Sequence, residues 1–522
     1  MGGHEHPDMS GEPRWWETRV FALALALASV VPLVWPDLLP LIDLPGHIGR
    51  YRVQLELGES PVLQRYYSFE WALIGNLGVD LLVELLAPLI GLEAAVKLIV
   101  MTIPPLTAGG LLWVAREVHG RIPPTAMFAL PFAYNFPFLF GFANFALAMA
   151  LALLAFGLWL RLARLGGVWL RAALFVPIST ALWVVHAYGW GTLGVLAFSA
   201  ELVRQYDSGR NIFAAGFRAA IHCLVLTPAI ALNLAWRSEA AGFTTDWFNW
   251  ERKWDWVTMV LRDRWEWLDM GALGIVGLLL AWVLFSRKMT YSRNLAATAI
   301  FLALMFVLLP RIVFGSAYAD MRLAPYVFAI ALVAIRMTPK AGPRFVQGLA
   351  VAGLAFFAVR TTASTASMAI YDRIYDRELG AIAHVPRGAR MVSFVGRPCR
   401  EPWAMSRLLH LPGLALARRR AFSNDQWALP GAQLLQVRYR AGWPFIRDPT
   451  QVVTYRRCRG EAWRPIHIAL ATFPREAFDY VWLIQPPPYD PRLAAGLRPV
   501  WRSGRSVLYR VVDRRPPILE EP

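Results

Sequence analysis

Long apolar runs recur along the chain from about residue 19 to about residue 365, with polar connections between them. Crossing about 30 Å of hydrocarbon takes about 20 helical residues, and only helices or closed barrels satisfy their backbone hydrogen bonds there. Barrel strands would alternate apolar and polar residues, so the continuous runs favour helices. The pattern predicts a polytopic α-helical membrane protein with about eleven transmembrane helices. They lie near residues 19–36, 94–115, 122–139, 141–160, 170–186, 189–203, 212–234, 270–286, 295–310, 322–336 and 345–362.

The first apolar run, Val20–Trp35, has the length of a signal-peptide core. Its leader mixes both signs of charge, however, and no small-residue cleavage site precedes Asp37. We therefore expect a retained first transmembrane helix.

The polar connections alternate in character along the apolar region. Short basic connections, which face the cytoplasm by the positive-inside rule, alternate with longer or acid-containing ones. The N-terminus then falls on the cytoplasmic side, and an odd number of helices puts the C-terminal region outside. We predict a transmembrane domain over residues 1–365, with outer loops at 37–93 and 235–269. Residues 366–522 are predicted to form a soluble periplasmic α/β domain.

The two outer loops have features of membrane-surface segments. In VDLLVELLAPLIGLEAAVKL, acidic residues interrupt the apolar ones in an amphipathic pattern. Such a pattern is expected of a helix that lies along the membrane surface. Residues 236–269 contain seven tryptophans, which prefer the boundary between water and lipid. Anchoring at that boundary explains them, and stacking of a sugar ring on one of the indoles is the alternative.

The C-terminal region has the pattern of a mixed α/β domain. GARMVSFVG, FDYVWLIQ and SVLYRVV are strand-like runs, whereas RELGAIAHV and PRLAAGL favour helices. From residue 371 to the end the chain has 25 arginines, no lysine and 13 acids, so this region carries most of the net charge of +17. No nucleic-acid-binding motif accompanies the charge. We therefore predict no nucleic-acid partner and favour anionic membrane lipids or an acidic glycan.

The cysteines give limited information. Cys223 lies in a predicted membrane helix and is expected to be inert. Cys399 and Cys458 both fall in the outer domain, where an oxidising compartment permits a disulfide, and the sequence leaves their pairing open. No Cys/His spacing indicates zinc, and no glycine-rich phosphate loop is present, so neither a metal nor a cofactor is predicted.

Ionisable residues cluster directly after the first predicted helix, in LIDLPGHIGRYRVQLELG. Asp43 would lie at the outer face, within reach of water and of a membrane-bound substrate. It is a candidate general base, and capping of the following helix is the alternative or additional role. His47, one turn later, either orients a phosphate or the base, or packs beside Tyr51. Arg50 is a candidate phosphate ligand, because guanidinium binds phosphate through paired hydrogen bonds, and snorkelling of its side chain to the lipid head groups is the alternative.

A second cluster lies in PRIVFGSAYADMRLAP, a short outer connection between two predicted helices. Charges at membrane depth are costly and are often functional. Arg311 or Arg322 is a candidate for neutralising a lipid-linked phosphate. Asp320 and Tyr318 are candidate supporting residues of the same phosphate site. An internal pair of Asp320 with Arg322 is the alternative. His186, near the outer end of another helix, is a further supporting candidate, for which a polar packing role is the alternative.

These features together resemble the GT-C class of integral membrane glycosyltransferases. The outer-face acid, the long first outer loop, about eleven helices and the external α/β tail extend the resemblance over nearly the whole chain. DLPGHIGRYRVQ is similar to the first-loop acidic motif of that class. The resemblance implies that Asp43 activates the acceptor and that Arg322 or Arg311 binds the donor phosphate. Many members carry a second adjacent acid, but here Leu44 follows Asp43, and no metal is predicted.

The resemblance also implies a substrate and a location. The donor would be a polyprenyl-phosphate-linked sugar, used by single displacement with inversion at the periplasmic face of a bacterial inner membrane. The acceptor would be an envelope lipid, a glycan or a protein, and the sequence leaves both the acceptor and the sugar open. A donor held in the membrane agrees with the apolar body of the chain.

Two other functional classes remain open on the sequence. A transporter or flippase for lipid-linked glycans would use the same arginines to hold a phosphate. The sequence has no internal repeat and no matched pair of helices broken by Gly or Pro, which disfavours transport. The third class is a non-catalytic scaffold whose outer domain recruits envelope enzymes.

Overall fold

A computed structural model describes residues 13–239, 243–313, 315–428, 433–445 and 451–515. The protein is 61% helical, with a sheet in the C-terminal region. The α-helices of the described residues are α1 Arg19–Ala28, α2 Leu44–Glu56, α3 Pro61–Gln64, α4 Gly78–Ile90, α5 Leu92–His119, α6 Phe136–Phe140, α7 Ala143–Arg164, α8 Val168–Val185, α9 Ala187–Asp207, α10 Ile212–Cys223, α11 Pro228–Glu239, α12 Trp250–Thr258, α13 Glu266–Phe285, α14 Arg293–Leu308, α15 Ala324–Val333, α16 Pro343–Leu379, α17 Gly413–Arg419 and α18 Ile466–Thr472. The strands are β1 Tyr67–Phe69, β2 Met289–Tyr291, β3 Ile335–Met337, β4 Met391–Gly396, β5 Leu435–Val437, β6 Val452–Thr454, β7 Arg464–Pro465, β8 Tyr480–Ile484, β9 Leu497–Ser503 and β10 Ser506–Val511.

Five helical segments in the described residues are long and apolar enough to cross a membrane. They are α5, α7, α8, α13 and the segment Pro343–His384, which contains α16. A sixth span results if Ile212–Leu226 and Pro228–Trp236, bent by 66° at their break, count as one. The structure therefore supports a polytopic helical membrane protein, whereas the predicted number of about eleven spans is not confirmed.

Three predicted helices differ in form from the observed ones. Residues 122–139 form a 3₁₀-helix, Pro124–Tyr134, followed by the short α6, because prolines within this segment remove backbone donors. Residues 212–234 bend where α11 begins at Pro228, for the same reason. The helix predicted at 345–362 continues to Leu379, because no proline interrupts it, and includes the first three residues of RELGAIAHV; the next five, Gly380–His384, form a 3₁₀-helix.

The chain divides into two compact units. We call them the membrane unit, Met1–Trp35, Leu73–Val79 and Leu98–Ser367, and the sheet unit, Pro36–Ala72, Asp80–Lys97 and Met368–Pro522. This division differs from the predicted one, because most of the first outer loop belongs to the sheet unit.

The membrane unit is a bundle of helices. Helix α9 packs against α7, α10 and α14, and α15 packs against α14. Trp159 and Trp183 are fully buried within it. The apolar side chains of α13 include Leu278, Leu284 and Phe285, all exposed, as expected of a helix face that contacts lipid.

The sheet unit contains a six-stranded sheet in the order β7-β6-β4-β8-β10-β9. Strands β7, β6, β4 and β8 are parallel, while β10 runs antiparallel to β8 and β9. The three predicted strands correspond to β4, β8 and β10, and the shorter or more polar β6, β7 and β9 were missed. PRLAAGL, predicted as a helix, forms the 3₁₀-helix Pro491–Ala494 followed by the start of β9.

Two further contacts organise the sheet unit. Helix α2, from the first outer loop, packs against α17 from the C-terminal region. Cys399 and Cys458, whose pairing the sequence left open, form a disulfide across a separation of 59 residues. Cys223 is not in a disulfide.

Candidate functional site

Asp43 occupies the N-cap position of α2, two positions before Pro45 in the first helical turn. Its side chain makes no capping hydrogen bond, although it is only 7% exposed. The sequence thus located the helix start correctly, but the capping role that it offered as an alternative is not the role of the carboxylate. A buried carboxylate that does not cap its helix is a candidate for chemistry.

His410 lies close to the carboxyl group of Asp43. Its Nε2 lies 3.7 Å from Asp43 Oδ1, and the ring is 4% exposed. The side-chain amide nitrogen of Gln451, which can only donate, lies 3.1 Å from His410 Nδ1. Nδ1 therefore accepts, and the proton of the neutral ring is on Nε2, the atom nearer to Asp43.

The imidazole is held neutral. Burial, reinforced by the neighbouring His47, lowers the pKa of His410 to about 3. His410 therefore presents an N–H dipole to Asp43 at neutral pH. Such a dipole can orient a base.

Glycines allow the backbone of α2 to approach its neighbours closely. A β-carbon at Gly413 would lie 2.6 Å from the carbonyl oxygen of Pro45, and one at Gly49 would lie 2.8 Å from the carbonyl oxygen of Gly413. Gly46 faces Trp427, where a β-carbon would come within 3.0 Å of the indole. The position of the helix that begins at Asp43 thus depends on contacts that only glycine permits.

Asp425 is a second buried acid next to this contact. Its side chain is fully buried, and the Gln426 side-chain amide donates to its Oδ1 at 3.2 Å and to the Gly46 carbonyl oxygen at 3.1 Å. Burial raises the pKa of Asp425 to about 6. Neither Asp425 nor His410 was predicted from the sequence, in which the dense polar run SNDQW is a local signal for the acid.

His47 packs in an aromatic stack. Its ring lies 5.3 Å from that of Trp427 and 6.3 Å from that of Tyr51, measured between centroids. Trp427 also packs 4.2 Å from His410, so the two histidines flank one indole. Of the two roles that the sequence left open for His47, packing beside Tyr51 is the one that this geometry supports.

Arg50 forms a buried ion pair. Its guanidinium donates to Asp80 of α4, which is fully buried, and it also lies over the ring of Tyr51 at 4.7 Å. Gln54, one turn later, donates to the Asp80 carbonyl oxygen at 3.0 Å. These contacts tie α2 to α4 inside the sheet unit.

The other predicted arginines belong to the membrane unit. Arg311 pairs with Asp246 at a partly exposed position. Arg322 is 9% exposed, and its guanidinium carbon lies 4.6 Å from the ring centroid of Phe142 and 5.2 Å from that of Tyr188. Phe145 adds a third ring at 5.7 Å. Arg322 therefore sits among aromatic faces, whereas Arg311 is engaged by a carboxylate.

The supporting residues of this cluster also have defined neighbours. Asp320 pairs with Lys253 of α12 at 3.1 Å, and the same ammonium donates to the carbonyl oxygens of residues 306 and 309. Tyr318 packs against Trp256 at 5.8 Å. His186 lies 5.6 Å from the ring of Tyr188, one of the rings that surround Arg322.

The predicted residues thus form two groups. Asp43, His47 and Arg50 lie in the sheet unit, and the other group, Arg311, Tyr318, Asp320, Arg322 and His186, lies in the membrane unit. Within the described ranges, no group of three or more His, Cys, Asp or Glu side chains is placed to hold a metal ion. A scan of the sequence against protein-family models gives no match, and a search of curated proteins gives none either.

Proposed function

We propose that this protein is a GT-C-like membrane glycosyltransferase that moves a sugar from a polyprenyl-phosphate donor to an envelope lipid, glycan or protein. In this proposal the chain spans a bacterial inner membrane about eleven times. Its N-terminus is cytoplasmic, and the sheet of its C-terminal region is periplasmic. The reaction inverts the anomeric centre, and Asp43 is the general base.

The observation that carries the proposal is the placement of Asp43. It stands at the start of α2, is buried, and makes no capping hydrogen bond. His410 faces it with a neutral N–H. A general base needs a fixed orientation, and His410 is placed to contribute to it.

Phosphate binding is assigned to Arg322 rather than to Arg311 or Arg50. Both of the latter are paired with carboxylates, and separating such a pair to bind phosphate costs free energy. The rings of Phe142 and Tyr188 lie beside the Arg322 guanidinium and hold its positive charge at a buried position. A guanidinium binds phosphate oxygens through paired hydrogen bonds.

The reaction is a single displacement. Asp43 takes the proton of the acceptor hydroxyl, whose oxygen forms a bond to the anomeric carbon of the donor sugar. The bond between that carbon and the phosphate oxygen breaks, and polyprenyl phosphate leaves with the electron pair. Arg322 stabilises the negative charge that develops on the leaving phosphate.

The test is mass-spectrometric profiling of envelope glycans and glycolipids. A deletion strain is complemented with wild type, Asp43→Asn or Asp37→Asn at matched membrane levels, where Asp37 is an exposed acid that precedes the same helix. We expect a sugar-sized mass to disappear in the deletion strain and in Asp43→Asn, and to return with wild type and Asp37→Asn. Full restoration by Asp43→Asn would refute the assignment of the base, and an unchanged profile in the deletion strain would refute the transferase.

One observation favours the alternative of a transporter for lipid-linked glycans. The apolar pair Ile212–Leu226 and Pro228–Trp236 is bent by 66°, and broken helices line substrate sites in transporters. A transporter would leave the sugar composition of each glycan unchanged and would alter only its distribution between the two leaflets. Measurement of lipid-linked glycan on each face of the membrane in the deletion strain separates the two functions.

A further inference from the structure

A surface depression of the sheet unit is lined by none of the residues of the candidate site. It has a volume of about 1050 Å³ and is lined by residues of the loop between β6 and β7, by Trp443 and by α18. Two of its lining residues are tryptophans, Trp443 and Trp463, and three are arginines, Arg457, Arg459 and Arg464. This combination of flat rings and fixed positive charge suits a particular class of ligand.

The tryptophans provide apolar surfaces within a polar depression. Trp443 is 58% exposed, a large exposure for an indole at the surface of a water-soluble unit. Arg397 lies 4.5 Å from the ring centroid of Trp463, on one face, and pairs with Glu401. The ring is thereby oriented while the residue still lines the depression. Exposed indoles with a fixed orientation are platforms for the apolar faces of sugar rings.

The arginines supply charge that no carboxylate of the described residues neutralises. Within the described ranges, no carboxylate lies within salt-bridge distance of Arg457, Arg459 or Arg464. Arg390 and Arg492, elsewhere in the same unit, do have carboxylate partners. The side chains of Arg457 and Arg459 are exposed, and Glu461 is the one acid among the lining residues. Arginines left without carboxylate partners can bind the carboxylates or phosphates of a ligand through paired hydrogen bonds.

The loop that presents these arginines is held at several points. It runs from β6 to β7, which pair in parallel, and Cys458 in its middle is joined to Cys399. Gly460, between Arg459 and Glu461, has a φ of 78°, a conformation that permits the sharp turn there. A loop anchored in this way loses little conformational entropy when it binds a ligand.

From this arrangement we infer that the depression binds an acidic oligosaccharide, whose sugar rings stack on Trp443 and Trp463 while its carboxylates or phosphates pair with Arg457 and Arg459. This site goes beyond the proposed transfer reaction and involves none of the residues assigned to that reaction. An anionic lipid headgroup would satisfy the arginines but would leave the two indoles without a sugar ring to stack on.

The test uses the purified full-length protein in detergent, immobilised for surface plasmon resonance. The probes are hexagalacturonate and mannose 6-phosphate, with neutral maltohexaose as the uncharged comparison and glycerol 1-phosphate as the headgroup comparison. We expect at least one acidic sugar to bind more than tenfold more tightly than maltohexaose, with an affinity that falls as salt rises. Glycerol 1-phosphate should not displace it at equal concentration.

Three variants locate the binding. Trp463→Ala and the double variant Arg457→Gln/Arg459→Gln should each weaken binding at least tenfold. The control, Arg498→Gln/Arg502→Gln, removes two exposed arginines from β9, at the opposite edge of the sheet from β7, and should bind as wild type does. Equal binding of maltohexaose, complete displacement by glycerol 1-phosphate, or wild-type affinity in both depression variants would each overturn the inference. Circular dichroism spectra and elution volumes of the variants show that loss of binding is not loss of folding.

Discussion

His410 Nε2 lies 3.7 Å from Asp43 Oδ1, and residues 367 positions apart in the chain thereby form one buried pair. Gln451 hydrogen-bonds to the far nitrogen of the ring, so the Nε2–H group is the one turned toward the carboxylate. Under the proposed function, His410 is a positioning residue, and its effect on the reaction passes through Asp43.

Replacing His410 should reduce sugar transfer without abolishing it. We expect His410→Phe to lower the rate about 10- to 100-fold, because a misplaced base loses catalytic efficiency steeply. His410→Gln, which retains an N–H donor, should recover part of the rate. The pH–rate profile should shift in His410→Phe, since the apparent pKa of the base depends on the neighbouring dipole. His384→Asn, at an exposed histidine of the same unit, is the control, and a wild-type profile in His410→Phe would contradict the positioning role.

The neutral state of His410 makes the protein sensitive to acid. Its folded pKa of about 3 lies below the ordinary value of 6.5, so the unfolded chain binds a proton that the folded protein does not. The contribution of His410 to stability is therefore present above pH 6.5 and is lost as the pH falls toward 3. At pH 5 the loss relative to neutral pH is about 2 kcal/mol.

Thermal denaturation in detergent between pH 7.5 and pH 4.5 measures this effect. His410→Gln should lose less stability on acidification than wild type. His384→Asn should follow the wild-type curve. Parallel curves for His410→Gln and wild type would show that the ring is not held neutral.

Asp425 should have the opposite dependence on pH. Its folded pKa of about 6 lies above the ordinary 3.8, so the folded protein retains a proton that the unfolded chain has already lost. The stability associated with this carboxyl is present below pH 3.8 and is lost as the pH rises through 6. We expect Asp425→Asn, which keeps an acceptor for the Gln426 amide, to stabilise the protein by about 3 kcal/mol at pH 8 and little at pH 4. Denaturation curves at both pH values check this, and an equal effect at the two would contradict it.

The sequence predicted those features of this protein that depend on local pattern. The apolar runs predicted the helices of the membrane unit, and strand-like runs predicted β4, β8 and β10. Asp43 was identified as a helix start because the signal, an acid two positions before Pro45, is local. Proline-rich residues 122–139 were predicted as one helix because hydropathy alone does not register a missing backbone donor.

The partners of the candidate site could not be predicted in the same way. His410 and Asp425 lie more than 360 residues from Asp43, and their contact depends on how α2 packs against α17 through Gly49 and Gly413. No periodicity in the sequence reports such a contact. The ion pair of Arg50 was missed for a related reason, because Asp80 belongs to a different helix.

The pair of Arg50 with Asp80 should contribute to folding rather than to transfer. Both side chains are buried, and removing one leaves the other charged and uncompensated. Arg50→Met should therefore destabilise the protein by about 3–5 kcal/mol. Arg50→Met/Asp80→Asn, which removes both charges, should recover a large part of that loss. The control Arg52→Met, at a partly exposed i,i+4 pair on the same helix, should cost less than about 1 kcal/mol.

Denaturation of the four proteins, wild type included, measures these effects on stability, and transfer activity per folded molecule separates them from catalysis. The folded Arg50 variants should transfer sugar at rates within a few-fold of wild type. A large loss of transfer in a correctly folded variant would instead return Arg50 to the phosphate-binding role that the sequence allowed.

The decisive comparison for donor binding is between Arg322 and Arg311, two arginines eleven residues apart in the same segment. Arg311 has a carboxylate partner, so Arg311→Ala should leave donor affinity within a few-fold of wild type. Arg322 lies among Phe142, Phe145 and Tyr188, and Arg322→Ala should weaken binding of a polyprenyl-phosphate sugar about 100-fold, as expected for loss of a paired hydrogen-bonded contact to phosphate. Arg322→Lys keeps the charge but not the planar pair of donors, and its donor affinity should fall between those of Arg311→Ala and Arg322→Ala.

Binding of a radiolabelled donor to detergent-purified protein measures the three affinities directly. If Arg311→Ala loses more affinity than Arg322→Ala, the ion pair with Asp246 opens to receive the phosphate, and the aromatic environment of Arg322 serves only to pack its side chain.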